Sequence, residues 1–230
     1  MRVGLNTVRY FDRAEAGRRV AAQLIALASA RPVVFGLARG GVPVALEVAR
    51  ALGAPLDVLV VRKLGVPHHT ELGMGAIAAG GARVMNEEVV ALLRVPDRVI
   101  EMVTKEGETD VERREQAYRG TRPSLVVRGR TVVLVDDGLA TGASMRAAVM
   151  AMRRQEAERI VVAVPVASAE ARDRVAADGT EVVALTVPES LIAVGFWYEN
   201  FGETLDEEVK RLLDRASRER PVDRLGSAAR

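Results

Sequence analysis

The chain has 230 residues, of which 49% are hydrophobic and 28% charged, a composition typical of a globular protein rather than a disordered one. Its 33 lysines and arginines against 31 aspartates and glutamates leave a net charge of +2, so nucleic acid is not an expected partner, and the absence of cysteine excludes disulfides, thiolate nucleophiles and cysteine-ligated metals. No apolar stretch is long enough to span a bilayer and the N-terminus lacks a signal-peptide pattern, so we expect a cytoplasmic protein with no membrane partner.

The first part of the chain alternates helical and strand patterns. Apolar residues at helical spacing, short β-branched runs and glycine or proline breaks predict these elements in order: a helix over Asp12 to Ala30, a strand over Pro32 to Leu37, a helix over Val42 to Leu52 and a strand over Leu56 to Val61. A strand, helix, strand order indicates a parallel sheet with a right-handed crossover.

The middle of the chain is less regular. Glycines and a proline remove the periodicity between Arg62 and Gly81, where we expect a mobile loop. The following patterns predict a hairpin over Gly75 to Met85 that turns at Gly80-Gly81, a helix over Asn86 to Leu93 capped by Asn86, and a charged, solvated helix over Pro96 to Tyr118.

The remaining elements return to alternation. They are predicted as a strand over Val132 to Val135, a helix over Met145 to Arg153, a strand over Arg159 to Val166, a helix over Ser168 to Ala177, a strand over Glu181 to Thr186 and a helix over Leu205 to Leu213, before a tail from Ala216 that we expect to fray. The fold class is therefore α/β, a parallel twisted sheet flanked by helices, in a single domain over residues 1–230.

The most informative segment runs from Val132 to Ser144, with the sequence VVLVDDGLATGAS. Its apolar residues predict a strand buried on both faces, and Asp136 and Asp137 follow at the carboxyl end, where ligands bind in open α/β sheets. The glycine turn and the start of the next helix present free backbone N–H groups to an anion, and Thr141 and Ser144 add hydroxyl donors. Carboxylates suit vicinal sugar hydroxyls, so the segment predicts a sugar-phosphate site.

This segment resembles the motif of type I phosphoribosyltransferases that binds 5-phosphoribosyl 1-diphosphate (PRPP): an apolar strand, two acids, three variable residues, then Thr-Gly and a small or hydroxyl residue. The resemblance implies that Asp136 and Asp137 hold the ribose 2′- and 3′-hydroxyls. It assigns the 5′-phosphate to the loop formed by Gly138, Leu139, Ala140, Thr141, Gly142, Ala143 and Ser144. It also implies Mg²⁺ carried by PRPP, with the two acids as its candidate protein ligands, and a homodimer. An ordinary turn rich in small residues is the alternative.

One position departs from part of that family. Relatives that act on 6-oxopurines commonly have an aspartate before Thr-Gly that serves as an acid or base near the purine, and this chain has Ala140 there. A methyl group cannot transfer a proton. The segment is closer to the adenine and uracil enzymes, which disfavours hypoxanthine or guanine as the acceptor, although another residue could carry the proton.

A second glycine loop, Ala38-Arg39-Gly40-Gly41, follows the first core strand and opens a helix. Its amides and the Arg39 guanidinium suit phosphate oxygens, although such a loop alone is more often a tight turn. By resemblance it is the pyrophosphate loop of phosphoribosyltransferases, which often contains a cis peptide, and Ala38–Arg39 is then the bond concerned. Arg39 is a candidate catalytic residue.

Three further groups are open to more than one interpretation. Lys63, favoured over Arg62, is a candidate catalytic cation for the diphosphate or a solvated charge, and His68 and His69 are either an acid or phosphate contact or exposed loop residues. Trp197 and Tyr198 are candidates for stacking on the base or for a local core. By resemblance, a hood over the base comes from the N-terminal segment, residues 187–215 or both, around a core of about 32–185.

The function predicted from these motifs is transfer of the 5-phosphoribosyl group from PRPP to a nitrogen of a nucleobase-like acceptor, with release of pyrophosphate. The enzyme would be a pentosyl transferase of nucleotide metabolism. The alternative is a non-catalytic PRPP- or nucleotide-sensing regulator on the same fold. A P-loop enzyme is disfavoured because the sequence has no G-x-x-x-x-G-K-[S/T] run.

Overall fold

A computed structural model describes residues 9–67, 69–177 and 179–219. The helices are α1 (Arg13–Leu24), α2 (Gly41–Leu52), α3 (Glu87–Leu92), α4 (Asp97–Arg119), α5 (Ala143–Arg154), α6 (Ala169–Ala176) and α7 (Asp206–Glu219). The strands are β1 (Val33–Leu37), β2 (Leu56–Leu59), β3 (Val61–Val66), β4 (His69–Ala78), β5 (Ala82–Met85), β6 (Thr131–Val135), β7 (Arg159–Val166) and β8 (Glu181–Thr186). Short 3₁₀ helices span Ile25–Ala30, Ala79–Gly81 and Val194–Trp197.

The main sheet has five parallel strands in the order β2-β1-β6-β7-β8, as the predicted fold class requires. Both β1 and β6 are buried along their whole length because helices cover both faces. On one face Val133 and Val135 pack with residues of α1 and α2, and on the other Val132 and Leu134 pack with residues of α5. The carboxyl ends of β1 and β6 therefore lie side by side.

The described residues between Arg62 and Gly81 form strands and end in a short 3₁₀ helix, so the predicted irregular loop is wrong there. β3, β4 and β5 make a separate antiparallel sheet, with Leu64, Met74 and Ile77 buried in its core. Glycines and a register irregularity around Leu64 and Gly65 hid the alternation of side chains. The predicted hairpin from Gly75 to Met85 is confirmed as β4 and β5, and His68 lies outside the described residues.

The ends of other elements also differ from prediction. The first helix ends in a 3₁₀ segment, and α7 continues to Glu219, so the expected fraying is wrong for Ala216 to Glu219, while residues 220–230 lie outside the described part. Asn86 caps α3 as predicted, its side chain accepting from Val89 N. No helix among the described residues has the length and hydropathy to cross a membrane.

Helix α4 was expected to be solvated, but one side of it is buried, including Val111, Glu115 and Tyr118. Arg119 Nε donates to both carboxylate oxygens of Asp57, at 3.1 and 2.9 Å, and Arg119 Nη1 donates to Glu115 at 2.9 Å. Glu115 also accepts from the N–H of Val60, the residue that joins β2 to β3. These three side chains, hereafter the buried ion triad, attach α4 to the point where the two sheets meet.

Candidate functional site

The acid pair lies at the carboxyl end of β6, the position predicted for it. Asp137 N donates to Asp136 Oδ1 at 2.9 Å, and Arg13 Nε donates to Asp137 Oδ2 at 2.9 Å. Burial, together with the neighbouring Asp137 carboxylate, raises the pKa of Asp136 well above its usual value. Burial also raises the pKa of Asp137, although Arg13 opposes this shift. The pair is therefore a set of desolvated acceptors held at the sheet edge.

The second glycine loop packs directly against the acid pair. A β-carbon at Gly40 would collide with the Asp137 carboxylate, and one at Gly41 would lie 2.5 Å from the carbonyl oxygen of Val135. Glycine at these two positions lets the loop approach. The Ala38–Arg39 peptide bond is cis, as the resemblance implied. The structure thus brings the two predicted anion loops together.

The loop from Gly138 to Ser144 links the acid pair to α5. Gly142, with φ of +81°, caps the helix from the left-handed region that glycine adopts without strain. Leu139 is buried, and its N–H donates to the carbonyl of Val166 at 2.8 Å, which fixes the loop to the end of β7. Thr141 is exposed, and the first amides of α5 follow it. The loop has the form of an anion site at a helix N-terminus.

Arg39 is held by two carboxylates of the C-terminal segment. Its Nη2 forms an ion pair with Glu203, and its Nη1 lies 3.7 Å from Asp206 Oδ1. Asp206 also accepts from Tyr118 Oη at 2.6 Å, and burial with this hydrogen bond raises the pKa of Tyr118 to about 12. Arg39 therefore precedes the two glycines that pack against the acid pair, and its charge is balanced by groups of this chain.

The start of the described chain meets residues 197–201 beside the acid pair. Tyr10 N donates to the carbonyl of Trp197 at 2.8 Å, and Tyr198, only 2% exposed, stacks on Phe201 with ring centroids 4.9 Å apart. The Tyr198 hydroxyl donates to the main-chain oxygen of Asp137 at 2.5 Å. This geometry makes Tyr198 a support for the acid pair rather than an open face for a base, and the partly buried Trp197 packs in the same cluster.

Lys63 is exposed on β3 and lines a cavity that also contacts Thr141 and Ala143 of the phosphate loop. Arg39 is not among the described residues that line it. Arg62 lies 3.5 Å from the Asp110 carboxylate. The structure therefore places Lys63 on the phosphate-loop side of the site, and of the two histidines it describes only the backbone of His69.

Sequence reasoning missed Arg13 and Glu203. Arg13 contacts Asp137, donates from Nη1 to the carbonyl of Gly202 at 2.7 Å, and places its guanidinium 3.9 Å from the centre of the Phe201 ring. Arg13 and Asp137 are 124 positions apart. No local pattern marks either residue, because each acquires its role only when residues 10–13 and 197–206 come together beside the loops.

Comparison with known proteins agrees with this geometry. The family model described as phosphoribosyl transferase domain matches residues 9–199. Proteins of two Mycobacterium tuberculosis strains, provisionally named phosphoribosyl transferases, are 45% identical over 208 residues, which is 90% of this chain and 47% of theirs. The chain thus spans about half the length of these curated relatives.

Solved structures show the same fold. A crystal structure of a protein from Thermus thermophilus is 46% identical, with a TM-score of 0.76, covering 89% of this chain and 97% of that one. A Neisseria gonorrhoeae protein, 15% identical with a TM-score of 0.50 over 90% of this chain and 94% of its own, shares the fold alone. The chain belongs to the phosphoribosyl transferase family.

Proposed function

We propose that the protein transfers the 5-phosphoribosyl group of PRPP to a nitrogen of a nucleobase-like acceptor and releases pyrophosphate. The proposal depends on one observation: the acid pair, the second glycine loop and the N-terminus of α5 meet at one edge of the parallel sheet. PRPP has ribose hydroxyls for the acid pair, a diphosphate for the second glycine loop and a 5′-phosphate for the N-terminus of α5. Membership of the family supports the same reaction class.

In this mechanism each part of the site acts on a different part of PRPP. The carboxylates of Asp136 and Asp137 accept from the ribose hydroxyls, and the amides of the loop up to Ser144 bind the 5′-phosphate. Arg39 stabilises charge that develops on the leaving diphosphate. The ribosyl centre would pass through an oxocarbenium-like state, so no protein nucleophile is needed.

The residues at this edge fit Mg²⁺ bound mainly through its substrate. The described residues contain no cluster of three or more metal-ligating side chains, but Mg²⁺ is commonly held by one or two carboxylates together with substrate phosphates. Asp136 and Asp137 would hold it. When bound, the ion would neutralise diphosphate charge.

The nature of the acceptor rests on Ala140. This residue is exposed in the phosphate loop, and its methyl group leaves the position without a proton donor or acceptor side chain. We therefore propose an acceptor of the adenine or uracil type rather than a 6-oxopurine.

A panel assay tests this proposal. Purified protein is mixed with PRPP, Mg²⁺ and single bases, and pyrophosphate is measured over time. Release that depends on one base, with formation of the matching nucleotide, is the expected result. PRPP binding without release for any base would instead favour the sensing regulator, and no PRPP binding at all would contradict both functions.

Glu203→Gln is expected to strengthen binding of the diphosphate. In the structure the Glu203 carboxylate forms an ion pair with Arg39, so a diphosphate that binds Arg39 must displace Glu203. An exposed pair of this kind is worth up to about 1 kcal/mol, so the KM for PRPP should fall by up to about fivefold. Steady-state kinetics measure the change. Glu207→Gln, an exposed residue in the first turn of α7, is the control, and an unchanged KM in Glu203→Gln would contradict the competition.

A further inference from the structure

A cavity of about 560 Å³ lies beside the phosphate loop, between the β3-β4-β5 sheet and helices α5 and α6. Its described lining includes Thr141 and Ala143 but no residue of the acid pair or of the second glycine loop. The cavity is therefore adjacent to the proposed 5′-phosphate position and does not include the residues proposed for the ribose, and it shares Lys63 with the candidate contacts of the diphosphate. Its volume lies in the range of small-molecule sites and greatly exceeds that of a phosphate ion.

Three cations from three different elements face this space: Lys63 of β3, Arg146 of α5 and Arg174 of α6. Within the described residues, neither Lys63 nor Arg146 forms an ion pair; Arg174 pairs with the exposed Glu170 at 2.6 Å. Two carboxylates, Glu87 and Glu88, lie on the α3 side of the cavity, and both are exposed. Positive charge is thus concentrated on the side formed by α5, α6 and β3.

Arg146 is the most informative member of this group. Its Nε is buried and has no hydrogen-bond partner among the described residues, and it is the sole side-chain atom of that kind found there. Leaving a buried donor of a charged group unpaired is costly, so the described chain leaves the Arg146 guanidinium without its full set of acceptors. Because this Nε is enclosed by protein, a ligand in the cavity would bond the Nη groups of Arg146, and a guanidinium suits phosphate oxygens, which accept from several donors at once.

We propose that this cavity binds the phosphate group of a second small molecule, with Arg146 as its main donor and Lys63 and Arg174 as supporting charges. The remaining volume, with Asn86 and the carboxylates of Glu87 and Glu88 on the opposite side, suits hydroxyl groups carried by a phosphate ester. The site does not depend on the proposed transferase reaction.

Anomalous diffraction from crystals soaked in tungstate, a phosphate analogue, tests the position. The wild-type protein should bind one tungstate at the phosphate loop and a second within hydrogen-bond distance of Arg146. Arg146→Gln should lose the second while retaining the first, which serves as an internal control for folding. Arg174→Gln should weaken binding of the second tungstate. Arg154→Gln changes an exposed residue of α5 away from the cavity and should leave both tungstates bound.

Calorimetry with inorganic phosphate and with ribose 5-phosphate identifies the form that binds. Loss of a charge-assisted hydrogen bond should weaken the second binding event by about tenfold or more in Arg146→Gln. For the binding event that Arg146→Gln weakens, tighter binding of the ester assigns the site to a phosphorylated metabolite, and tighter binding of the free ion assigns it to inorganic phosphate. A single tungstate in wild-type crystals, or equal affinities in Arg146→Gln and Arg154→Gln, would overturn the proposal, whether or not the protein turns over PRPP.

Discussion

Replacing Asp136 and Asp137 together by asparagine is expected to abolish PRPP-dependent turnover while the fold remains intact. Each amide keeps the size of the carboxyl group but presents one acceptor oxygen and an N–H₂ donor in place of two acceptor oxygens. The ribose hydroxyls then lose their partners, and a misplaced reacting centre alone costs about 100-fold in rate. We expect a loss of at least that size, measured as pyrophosphate release. Asp173→Asn, an exposed acid on α6, is the control.

Burial of the Asp136 carboxyl group should lower the free energy of unfolding at neutral pH. Because burial raises the pKa of Asp136, the native state binds its proton more tightly than the unfolded state does, and stability falls as pH rises through that raised pKa. Asp136→Asn removes this penalty and can retain the hydrogen bond from Asp137 N. We expect a gain of about 0.5 to 2 kcal/mol at neutral pH, typical of a stabilising substitution.

Thermal melts of Asp136→Asn and wild type across pH 4 to 8 check this gain. The difference in melting temperature should be smallest at the acid end, where the Asp136 carboxyl group is protonated in the native state and about half protonated in the unfolded state, and should grow as pH rises. A variant less stable than wild type at neutral pH, or a difference that shrinks with rising pH, would show that the ionised Asp136 carboxylate does not destabilise the native state.

Arg119→Leu is expected to have the largest effect on stability. The substitution leaves Asp57 and Glu115 buried without their cation, and burial already raises the pKa of Glu115 despite the presence of Arg119. Breaking a buried ion pair on one side costs about 3 to 5 kcal/mol. Chemical denaturation measures this free energy of unfolding. Arg113→Leu removes an exposed partner of Asp110 on the same helix and should cost less than about 1 kcal/mol.

A double replacement separates the charge from the packing. Asp57→Asn with Arg119→Leu removes one of the stranded carboxylates, and it should be more stable than Arg119→Leu alone. If the double variant is no more stable, the loss comes from the arginine's packing and its hydrogen bond to the Val58 carbonyl rather than from unpaired charge.

The parallel sheet was predictable because its strands are short, apolar and separated by clear helical patterns. The strands β7 and β8 coincide with their predicted bounds, and β1, β2 and β6 differ only at their ends. The acid pair and both glycine loops were also predictable, because every residue in them is close in sequence to a strand end. A parallel sheet places the carboxyl ends of all its strands at one edge, so these residues come together without any need to predict longer-range contacts.

What the sequence did not reveal depends on contacts between distant segments. Glu115 and Arg119 lie in a run of alternating charges that reads as a solvated surface, and nothing near them indicates that Asp57 is buried opposite. The hairpin of β3 and β4 contains too many glycines for the alternation of a half-buried sheet to be visible. Arg13 and Glu203 belong to the site only through contacts with residues far away in the sequence.

The contacts between the first helix and residues 198–202 also bear on the order in which the site is completed during synthesis. Arg13 and Gly202, joined by a hydrogen bond, are 189 positions apart, and the support under Asp137 comes from Tyr198. Contacts between such remote parts of a chain form late, since the intervening polypeptide must be ordered first. During synthesis, both anion loops and the acid pair leave the ribosome well before Tyr198 does. A nascent chain would therefore carry every motif of the site and still lack the finished pocket.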